Sequence, residues 1–313
     1  MNLSTTPAPA GRTEHATLVD GQSLFLCEKA ATQRPALGVV LLVHGSATGG
    51  LPSFDLQVDG YVSMMDSLVH QGFDVWCLDH RGYGRSYKSP DFIADVAQGV
   101  EDLVAAVNYI LAETRADQVA IYGNSSGALR AGGFAQAHPQ LVSCLALDGF
   151  VWTGAGSPTL TERRKHIAHW KSSVRRPLKR ADLLNIFTRD GVANSSPERA
   201  LAFADAVLEL DDSLPNGTYV DMCENLPLVR PELLTMPTLI IRGEHDGIAA
   251  LPDILDFFSN IASGDKEIVM IGGAGHGAIL QSSYTRIYSA LSSFIKRVLE
   301  ANPRSRGCGK QKS

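Results

Sequence analysis

Short apolar runs alternate along the chain with longer segments in which apolar and polar positions share a helical spacing. The runs lie at residues 37–43, 73–78, 118–122, 141–147, 238–242 and 267–271. Continuous apolar runs of this length are typical of strands that are buried on both faces. Apolar positions three or four residues apart, typical of amphipathic helices, occur at 61–70, 91–113, 251–261 and 282–299. This order predicts an α/β fold with a mostly parallel central sheet and helices on both faces.

Two segments depart from this rhythm. Residues 13–30 alternate around Asp20-Gly21, which predicts an antiparallel hairpin. Residues 150–231 lack an apolar run of the strand type, so we interpret them as a helical insertion over the strand ends, a lid. The predicted domains are a core at 13–149 and 232–300, the lid at 150–231, and flexible tails at 1–12 and 301–313.

Composition narrows the class of protein. Of the 313 residues, 44% are hydrophobic and 19% charged, so a substantial buried core is expected. The net charge of −5 gives no basic excess for nucleic acid. No apolar run reaches the length of about 18 residues that a transmembrane helix needs, so none is predicted. The N-terminus has no signal-peptide pattern and the five cysteines show no paired spacing, so a cytoplasmic location with reduced thiols is expected. Homo-oligomerisation is compatible with the sequence, but no pattern predicts it.

The segment Gly123-Asn124-Ser125-Ser126-Gly127 follows a strand-like run and precedes a helix-compatible stretch. Strand, Gly-x-Ser-x-Gly turn and helix in this order predict a nucleophile elbow. In such a turn the central serine is held in a strained backbone conformation, with its hydroxyl exposed at the end of the strand. Ser125 is therefore the candidate nucleophile. Ser126 is its rival by residue type, but only Ser125 is centred between the glycines.

An activated serine needs a base and a group that orients the base. The candidates are His276, in Gly275-His276-Gly277 after the last predicted strand, and Asp246, after the strand at 238–242. Both follow carboxyl ends of strands, where sites form in parallel sheets. Asp148 also closes a strand and stays open as the acid in place of Asp246.

Two weaker candidates for the acid are Glu244 and Asp221. The oxyanion of a tetrahedral intermediate needs donors as well. The backbone N–H groups of Ser46, in His44-Gly45-Ser46 after an apolar run, and of Ser126 are the candidate pair.

Taken together, these motifs make the chain resemble the α/β-hydrolase-fold serine hydrolases over residues 20–300. The block at 79–86 is similar to that of monoacylglycerol-lipase and lysophospholipase-like members. The matching pieces, in family order, are His44-Gly45, Asp79-His80-Arg81-Gly82-Tyr83-Gly84-Arg85-Ser86, Gly123-Asn124-Ser125-Ser126-Gly127, Gly243-Glu244-His245-Asp246 and Gly275-His276-Gly277. The resemblance implies an esterase that needs no cofactor. A metal site is not expected either, since His166 and His169 have no partner ligands nearby in the sequence.

The expected substrate is a small carboxylic ester with an apolar part. Candidate contacts are His44 and the aromatic residues Phe150, Trp152 and Trp170. The same triad can cleave a lactone, a thioester, an amide or a carbon–carbon bond next to a carbonyl. Two other classes remain open, an acyltransferase and a non-catalytic binding module.

Residues 163–180 contain eight Lys and Arg and no acidic residue in positions 163–181. A solvated helix face explains such a run. Two functional explanations stay open beside it. One is attraction of an anionic substrate, such as an anionic or amphiphilic monoester, and the other is contact with an anionic membrane surface.

Overall fold

The computed structural model describes residues 11–191 and 194–301. Its described residues form one large sheet of eight strands in the order β1-β2-β4-β3-β5-β6-β9-β10 and a separate two-stranded ribbon, β7-β8. The strands are β1 Thr13–Val19, β2 Gln22–Lys29, β3 Val39–Val43, β4 Asp74–Asp79, β5 Val119–Asn124, β6 Val142–Asp148, β7 Arg175–Pro177, β8 Ser213–Pro215, β9 Thr238–Gly243 and β10 Lys266–Ile271.

Helices connect the strands. They are α1 Gly50–Phe54, α2 Met64–His70, α3 Val96–Thr114, α4 Ser126–Ala137, α5 Pro158–Arg164, α6 Ile167–Ser172, α7 Arg180–Asn185, α8 Pro197–Leu208, α9 Gly217–Glu224, α10 Leu251–Asn260 and α11 Tyr284–Ala301. From β4 through β10 neighbouring strands of the large sheet run parallel, whereas β1 and β2 form the predicted antiparallel hairpin, and β2 also pairs antiparallel with β4.

Both faces of the sheet are buried. Along β3, Val40 and Leu42 join the hydrophobic cluster that includes α2 and α11, whereas Val39, Leu41 and Val43 join the cluster that includes α3, α4 and α10. Successive side chains of a strand point to opposite faces. Apolar residues at every position of β3 therefore serve two cores, which confirms the predicted parallel sheet with helices on both sides.

The segment 150–231 contains α5 to α9 and also β7 and β8, which pair antiparallel. The sequence predicted only helices and loops here. Each strand has three residues and ends in proline, Pro177 and Pro215, so neither leaves an alternating pattern long enough to recognise.

Helices α3 and α4 pack around a buried arginine. The Arg130 side chain is fully buried, and its Nη2 donates to the carbonyl of Ala94 at 3.1 Å. Its guanidinium carbon lies 5.5 Å from the ring centre of Tyr83. A Cβ on Gly99 would lie 2.4 Å from the Arg130 Nε, so the glycine in α3 makes the room that the arginine occupies.

Of the predicted tails, residues 1–10 and 302–313 lie outside the described residues, as does Cys308. Arg12 is described, and its Nη2 donates to the carbonyl of Asp55 at 3.0 Å. Within the two described ranges, no helix combines the length and the apolar character that a membrane span requires.

Candidate active site

Ser125 stands at the turn between β5 and α4, with φ 57° and ψ −123°. Non-glycine residues rarely adopt positive φ, so the surrounding structure must hold this conformation. A Cβ on Gly123 would lie 2.5 Å from the carbonyl oxygen of Gly127, and one on Gly127 would lie 2.3 Å from that of Val43. Both outer glycines are thus required by close backbone approach, which is the geometry of a nucleophile elbow.

His276 joins Ser125 to Asp246. Its Nε2 lies 2.8 Å from the Ser125 Oγ, and its Nδ1 lies 2.8 and 3.0 Å from the two Asp246 carboxylate oxygens. The side chains of His276 and Asp246 are only 6% and 1% exposed. Because an ionised carboxylate only accepts hydrogen bonds, Nδ1 carries the proton and Nε2 is left to accept from the serine hydroxyl.

The Asp246 carboxylate is stabilised in its charged form. Burial alone would raise its pKa, but the adjacent His276 imidazole and the backbone N–H groups of Ile248 and Ala249 outweigh burial and lower the pKa. Those two N–H groups donate to Oδ1 at 2.8 and 3.0 Å. The carboxylate is therefore ionised and fixed in place beside the imidazole.

Asp148 occupies a different environment. The Tyr122 hydroxyl donates to its Oδ2 at 2.5 Å, and the Asn124 amide donates to the same oxygen at 3.1 Å. Burial raises the pKa of Asp148 to about 7, against the opposing effect of these hydrogen bonds. The Nδ1 of His276 faces Asp246 and not Asp148, so the geometry favours the first of the two candidates.

The two weaker candidates lie elsewhere. Glu244 accepts a hydrogen bond from the backbone N–H of Gly273, and Asp221 accepts one from the N–H of Val96 at the start of α3. Each carboxylate thus caps a loop or helix terminus.

The loop after β3 is held by histidines. His44 Nδ1 donates to the carbonyl of Gly45 at 2.7 Å, and its Nε2 accepts the backbone N–H of His80 at 2.9 Å. Burial, followed by the charges of His80 and Arg130, lowers the pKa of His44 well below its ordinary value, so the ring is neutral.

The predicted oxyanion donors flank the elbow. A Cβ on Gly45 would lie 3.2 Å from the Ser125 Cβ, so the loop that carries Ser46 passes directly beside the elbow. Among the described residues, neither the backbone N–H of Ser46 nor that of Ser126 has a hydrogen-bond acceptor. Both N–H groups thus remain the candidate oxyanion donors.

Arg176 reaches this loop from the insertion. Its Nη2 donates to the carbonyl of Ser46 at 3.1 Å, and its Nη1 donates to Pro215 and Asn216. The guanidinium also stacks 3.9 Å from the ring centre of Tyr219. The charge run at 163–180 contained this residue, but nothing in its spacing separated it from its neighbours.

Asp190 makes the corresponding contact on the other side of the site. Its Oδ2 accepts the backbone N–H of His276 at 2.6 Å. A Cβ on Gly275 would lie 2.6 Å from the same carboxylate oxygen, so the glycine before the histidine allows this approach. No sequence motif pointed to Asp190, because its partner lies 86 residues away.

A cavity of about 660 Å³ opens onto Ser125 and His276. The core supplies the loop of Ser46 and residues after β10, and the insertion supplies most of the remaining wall. Its apolar lining consists of Trp170, Leu178, Leu183, Ile186, Phe203, Leu214, Ile248, Ile279 and Leu280. Such a mixture of apolar walls and few polar groups is typical of small-molecule sites.

Of the expected substrate contacts, only Trp170 lines this cavity. Phe150 packs 4.6 Å from the ring of Phe257. Trp152 packs against the same ring, and its indole N–H donates to the carbonyl of Val229. His44 is fully buried behind the loop it holds. These three residues pack against the core and do not line the cavity wall.

Three guanidinium groups surround Tyr219 on the cavity wall. Those of Arg163 and Arg176 lie 4.2 and 3.9 Å from its ring centre. Burial would raise the pKa of Tyr219, but Arg163, Arg176 and Arg189 together outweigh burial and lower it to about 8. The local potential at this wall is therefore strongly positive.

The described residues do not provide a cluster of side chains that could bind a metal ion. Within 11–191 and 194–301, no group of three or more His, Cys, Asp or Glu side chains is placed to hold one. His166 and His169 are both exposed on the insertion.

Comparisons with known proteins place the chain among hydrolases. A family model described as serine aminopeptidase, S33, matches residues 34–282. A 2-hydroxy-6-oxononadienedioate/2-hydroxy-6-oxononatrienedioate hydrolase of Cupriavidus pinatubonensis is 28% identical over 283 residues, covering 86% of this chain and 90% of the relative. A monoacylglycerol lipase of Mycolicibacterium smegmatis is 22% identical over 263 residues, covering 82% and 88%.

Solved structures show the same fold. An epoxide hydrolase of Vigna radiata superposes with a TM-score of 0.69 at 18% identity, over 91% of this chain and 98% of the other. At this identity the likeness concerns the fold only. The family match spans the strands from β3 to β10, the elbow and both loops of the site, so the chain belongs to the serine aminopeptidase S33 family of α/β hydrolases and is a hydrolase.

Proposed function

We propose that this protein is a serine hydrolase that cleaves a carboxylic ester through an acyl-enzyme on Ser125. The observation that carries the proposal is the continuous hydrogen-bonded row from Ser125 through His276 to Asp246. A serine, a base and an orienting carboxylate in this order define the catalytic triad of acyl transfer.

The first step is attack by the Ser125 Oγ on the ester carbonyl carbon while His276 Nε2 takes the hydroxyl proton. The resulting imidazolium is stabilised by Asp246 through Nδ1. His276 then gives the proton to the departing alkoxide, and the acyl group stays on Ser125. Water repeats the sequence, with His276 as base, and releases the acid and the free serine.

Negative charge develops on the carbonyl oxygen in both steps. The N–H groups of Ser46 and Ser126 supply donors fixed before the reaction begins. Removing one such donor typically slows an acyl-transfer enzyme by about a hundredfold or more. Arg176 orients the peptide that follows Ser46, and Asp190 orients the backbone of His276.

An ester is the substrate that best fits the cavity and the comparisons. The apolar wall of the cavity suits an acyl or alcohol chain, and the relative from Mycolicibacterium smegmatis is named for lipid ester hydrolysis. Ser125 at the nucleophile position also sets this chain apart from hydrolases that open epoxides with a carboxylate nucleophile.

Carbon–carbon bond hydrolysis is the second candidate. The substrate in the name of the Cupriavidus relative carries two carboxylates, a hydroxyl and a ketone, and no ester. Water can cleave such a molecule only at a bond next to the ketone, and the same triad could serve that reaction. Loss of absorbance of a 2-hydroxy-6-oxodienoate on incubation with the enzyme tests this candidate.

The test of the main proposal is hydrolysis of p-nitrophenyl acetate, butyrate and octanoate by the wild type and Ser125→Ala. A fluorophosphonate probe with mass detection locates the nucleophile. We expect activity that vanishes in the variant and an adduct on Ser125, with the chain-length ranking measuring the acyl pocket. Folded protein that neither turns over these esters nor forms the adduct would contradict the proposal and favour a binding module.

A further inference from the structure

The basic run at 163–180 divides into two groups in the structure. Arg164, Lys165 and Lys171 are exposed and face away from the cavity. Arg163 and Arg176 are half-buried and line the cavity together with Arg189, and the exposed Lys179 lines it as well. The run is therefore not a uniform solvated face.

The guanidinium groups of the cavity differ in how many of their N–H donors already have a hydrogen-bond acceptor. The Arg176 guanidinium donates hydrogen bonds to oxygens of Ser46, Pro215 and Asn216. Among the described residues, the Arg163 guanidinium donates only to the Tyr219 hydroxyl, at 3.5 Å. The Arg189 Nε is buried with no hydrogen-bond partner among the described residues, and it lies 4.0 Å from an Asp190 oxygen.

Of the carboxylates on the wall, Asp190 partly offsets the charge of Arg189, since its nearer oxygen lies 4.0 Å from the Arg189 Nε. Asp190 uses its other oxygen to hold the backbone of His276. Glu162 is exposed and binds Lys165 at 2.5 Å. Asp182 is exposed and belongs to α7. Two half-buried guanidinium groups, of which the Arg189 Nε is buried without a hydrogen-bond partner among the described residues, thus lie on the wall of the cavity that contains the nucleophile.

We propose that Arg163 and Arg189 bind a carboxylate on the substrate, so that the preferred ester carries a free carboxylate at some distance from its scissile bond. The inference rests on the proposed function, because it names the substrate class of the same site. Guanidinium donors form strong, charge-assisted hydrogen bonds to carboxylate, and a site with little water strengthens them.

The electrostatic surroundings support the assignment. Burial and the neighbouring Arg163 lower the pKa of Arg189, which shows that its charge is destabilised where it stands. A bound carboxylate would relieve that repulsion as well as the positive potential around Tyr219.

The experiment compares two acyl groups on one leaving group, mono-p-nitrophenyl glutarate and p-nitrophenyl butyrate, with the adipate and suberate monoesters added to measure reach. Arg163→Gln and Arg189→Gln should each lower the ratio of kcat/KM for the anionic to the neutral ester by about 10- to 100-fold. Arg163→Lys, which keeps the charge, should restore part of the ratio. Lys171→Gln makes the same change of charge on the exposed face, where Lys171 pairs with Glu224 away from the cavity, and should keep the wild-type ratio.

A binding measurement separates this inference from the proposed function. Calorimetry with glutarate on Ser125→Ala protein reports carboxylate binding without turnover, and we expect Arg189→Gln in that background to abolish it. A ratio unchanged in both arginine variants, together with no glutarate binding, would overturn the carboxylate site while ester hydrolysis stands. Arginine-dependent glutarate binding without turnover of any ester would overturn only the ester reaction.

Discussion

Arg176 and Ser46 lie 130 residues apart in the chain, and a hydrogen bond of 3.1 Å joins the arginine Nη2 to the serine carbonyl oxygen. The first residue belongs to the insertion and the second to the loop that carries a proposed oxyanion donor. Because Arg176 also packs on Tyr219, a single side chain links the cavity wall to this loop.

Arg176→Gln should therefore lower kcat by about tenfold on neutral esters, with a smaller change in KM, and at least as much on anionic esters, whose carboxylate also loses a nearby positive charge. The reason is that a loosened Ser46 loop stabilises the transition state less well than before, whereas ground-state binding depends on the remaining wall. Steady-state kinetics with the two p-nitrophenyl esters measure the effect.

Arg175→Gln is the matched control for this prediction. Arg175 donates to Ser213 and Gly82, and within the described ranges it makes no hydrogen bond to the Ser46 loop. Arg175→Gln should lower the free energy of unfolding about as much as Arg176→Gln does, but it should keep kcat near the wild-type value. Equal losses of kcat in the two variants would show that Arg176 acts only through the stability of the insertion.

Asp246→Asn and Asp148→Asn should have opposite consequences. Asp246→Asn replaces the partner of His276 Nδ1 and should lower kcat by about 10⁴-fold, because the wrong tautomer is then favoured. Asp148→Asn should keep kcat within a few-fold of the wild type, since Asp148 bonds to Tyr122 and Asn124. A large loss in Asp148→Asn with little loss in Asp246→Asn would reassign the acid.

The Asp148 variant should also change the dependence of stability on pH. With a pKa raised to about 7, the folded protein keeps a proton on Asp148 that the unfolded chain loses above about pH 4. The contribution of Asp148 to the free energy of unfolding is thus complete at low pH and is lost as the pH rises towards 7. Asp148→Asn should remove that loss and raise the free energy of unfolding at pH 8 by about 1 kcal/mol or more, measured by urea denaturation at pH 5 and 8.

Ser125→Gly should be more stable than Ser125→Ala, by about 1 kcal/mol. Position 125 has φ 57° and ψ −123°, a region that costs a non-glycine residue about 1–3 kcal/mol. Glycine removes that strain but has more freedom in the unfolded chain, which offsets part of the gain. Thermal melts of the two inactive variants test this, and equal melting temperatures would show that the elbow carries no net strain.

Tyr219 should give the selectivity for anionic esters its own pH dependence. Its hydroxyl faces Arg163, Arg176 and Arg189, and its pKa is lowered to about 8. Above that pH the phenolate weakens the positive potential, so the ratio of kcat/KM for the glutarate to the butyrate ester should fall from pH 7 to pH 9.5. Dividing by the neutral ester cancels the titration of the triad, and Tyr219→Phe should show a flat ratio. A fall that persists in Tyr219→Phe would assign it to another group.

The sequence predicted the features that local pattern determines. Ser125, Asp246 and His276 each follow an apolar strand, and strand ends of a parallel sheet meet at one edge, so their proximity could be anticipated. The hairpin at Asp20-Gly21 and the last helix, which ends at Ala301, could be predicted likewise, because each has a short-range periodic pattern.

The contacts made by the insertion could not be predicted in this way. Arg163 and Arg164 are adjacent and alike in chemistry, yet one lines the cavity and the other is exposed, donating to the carbonyl of Cys223. Asp190 and Arg176 act on partners 86 and 130 residues away. Which face of a short helix or three-residue strand turns inward depends on tertiary packing, and no pattern within the segment records it.

Gly99 and Arg130 have a consequence for how this sequence could evolve. A methyl group at position 99 would lie 2.4 Å from the Arg130 Nε, so Gly99→Ala should cost about 1–3 kcal/mol through overpacking, although alanine favours helix. After Arg130→Ala the same substitution should stabilise the protein, and a double-mutant cycle measures this reversal of sign. In descendants of this chain the effect of a side chain at position 99 therefore depends on the residue at position 130, so a single buried contact makes the order of the two mutations matter.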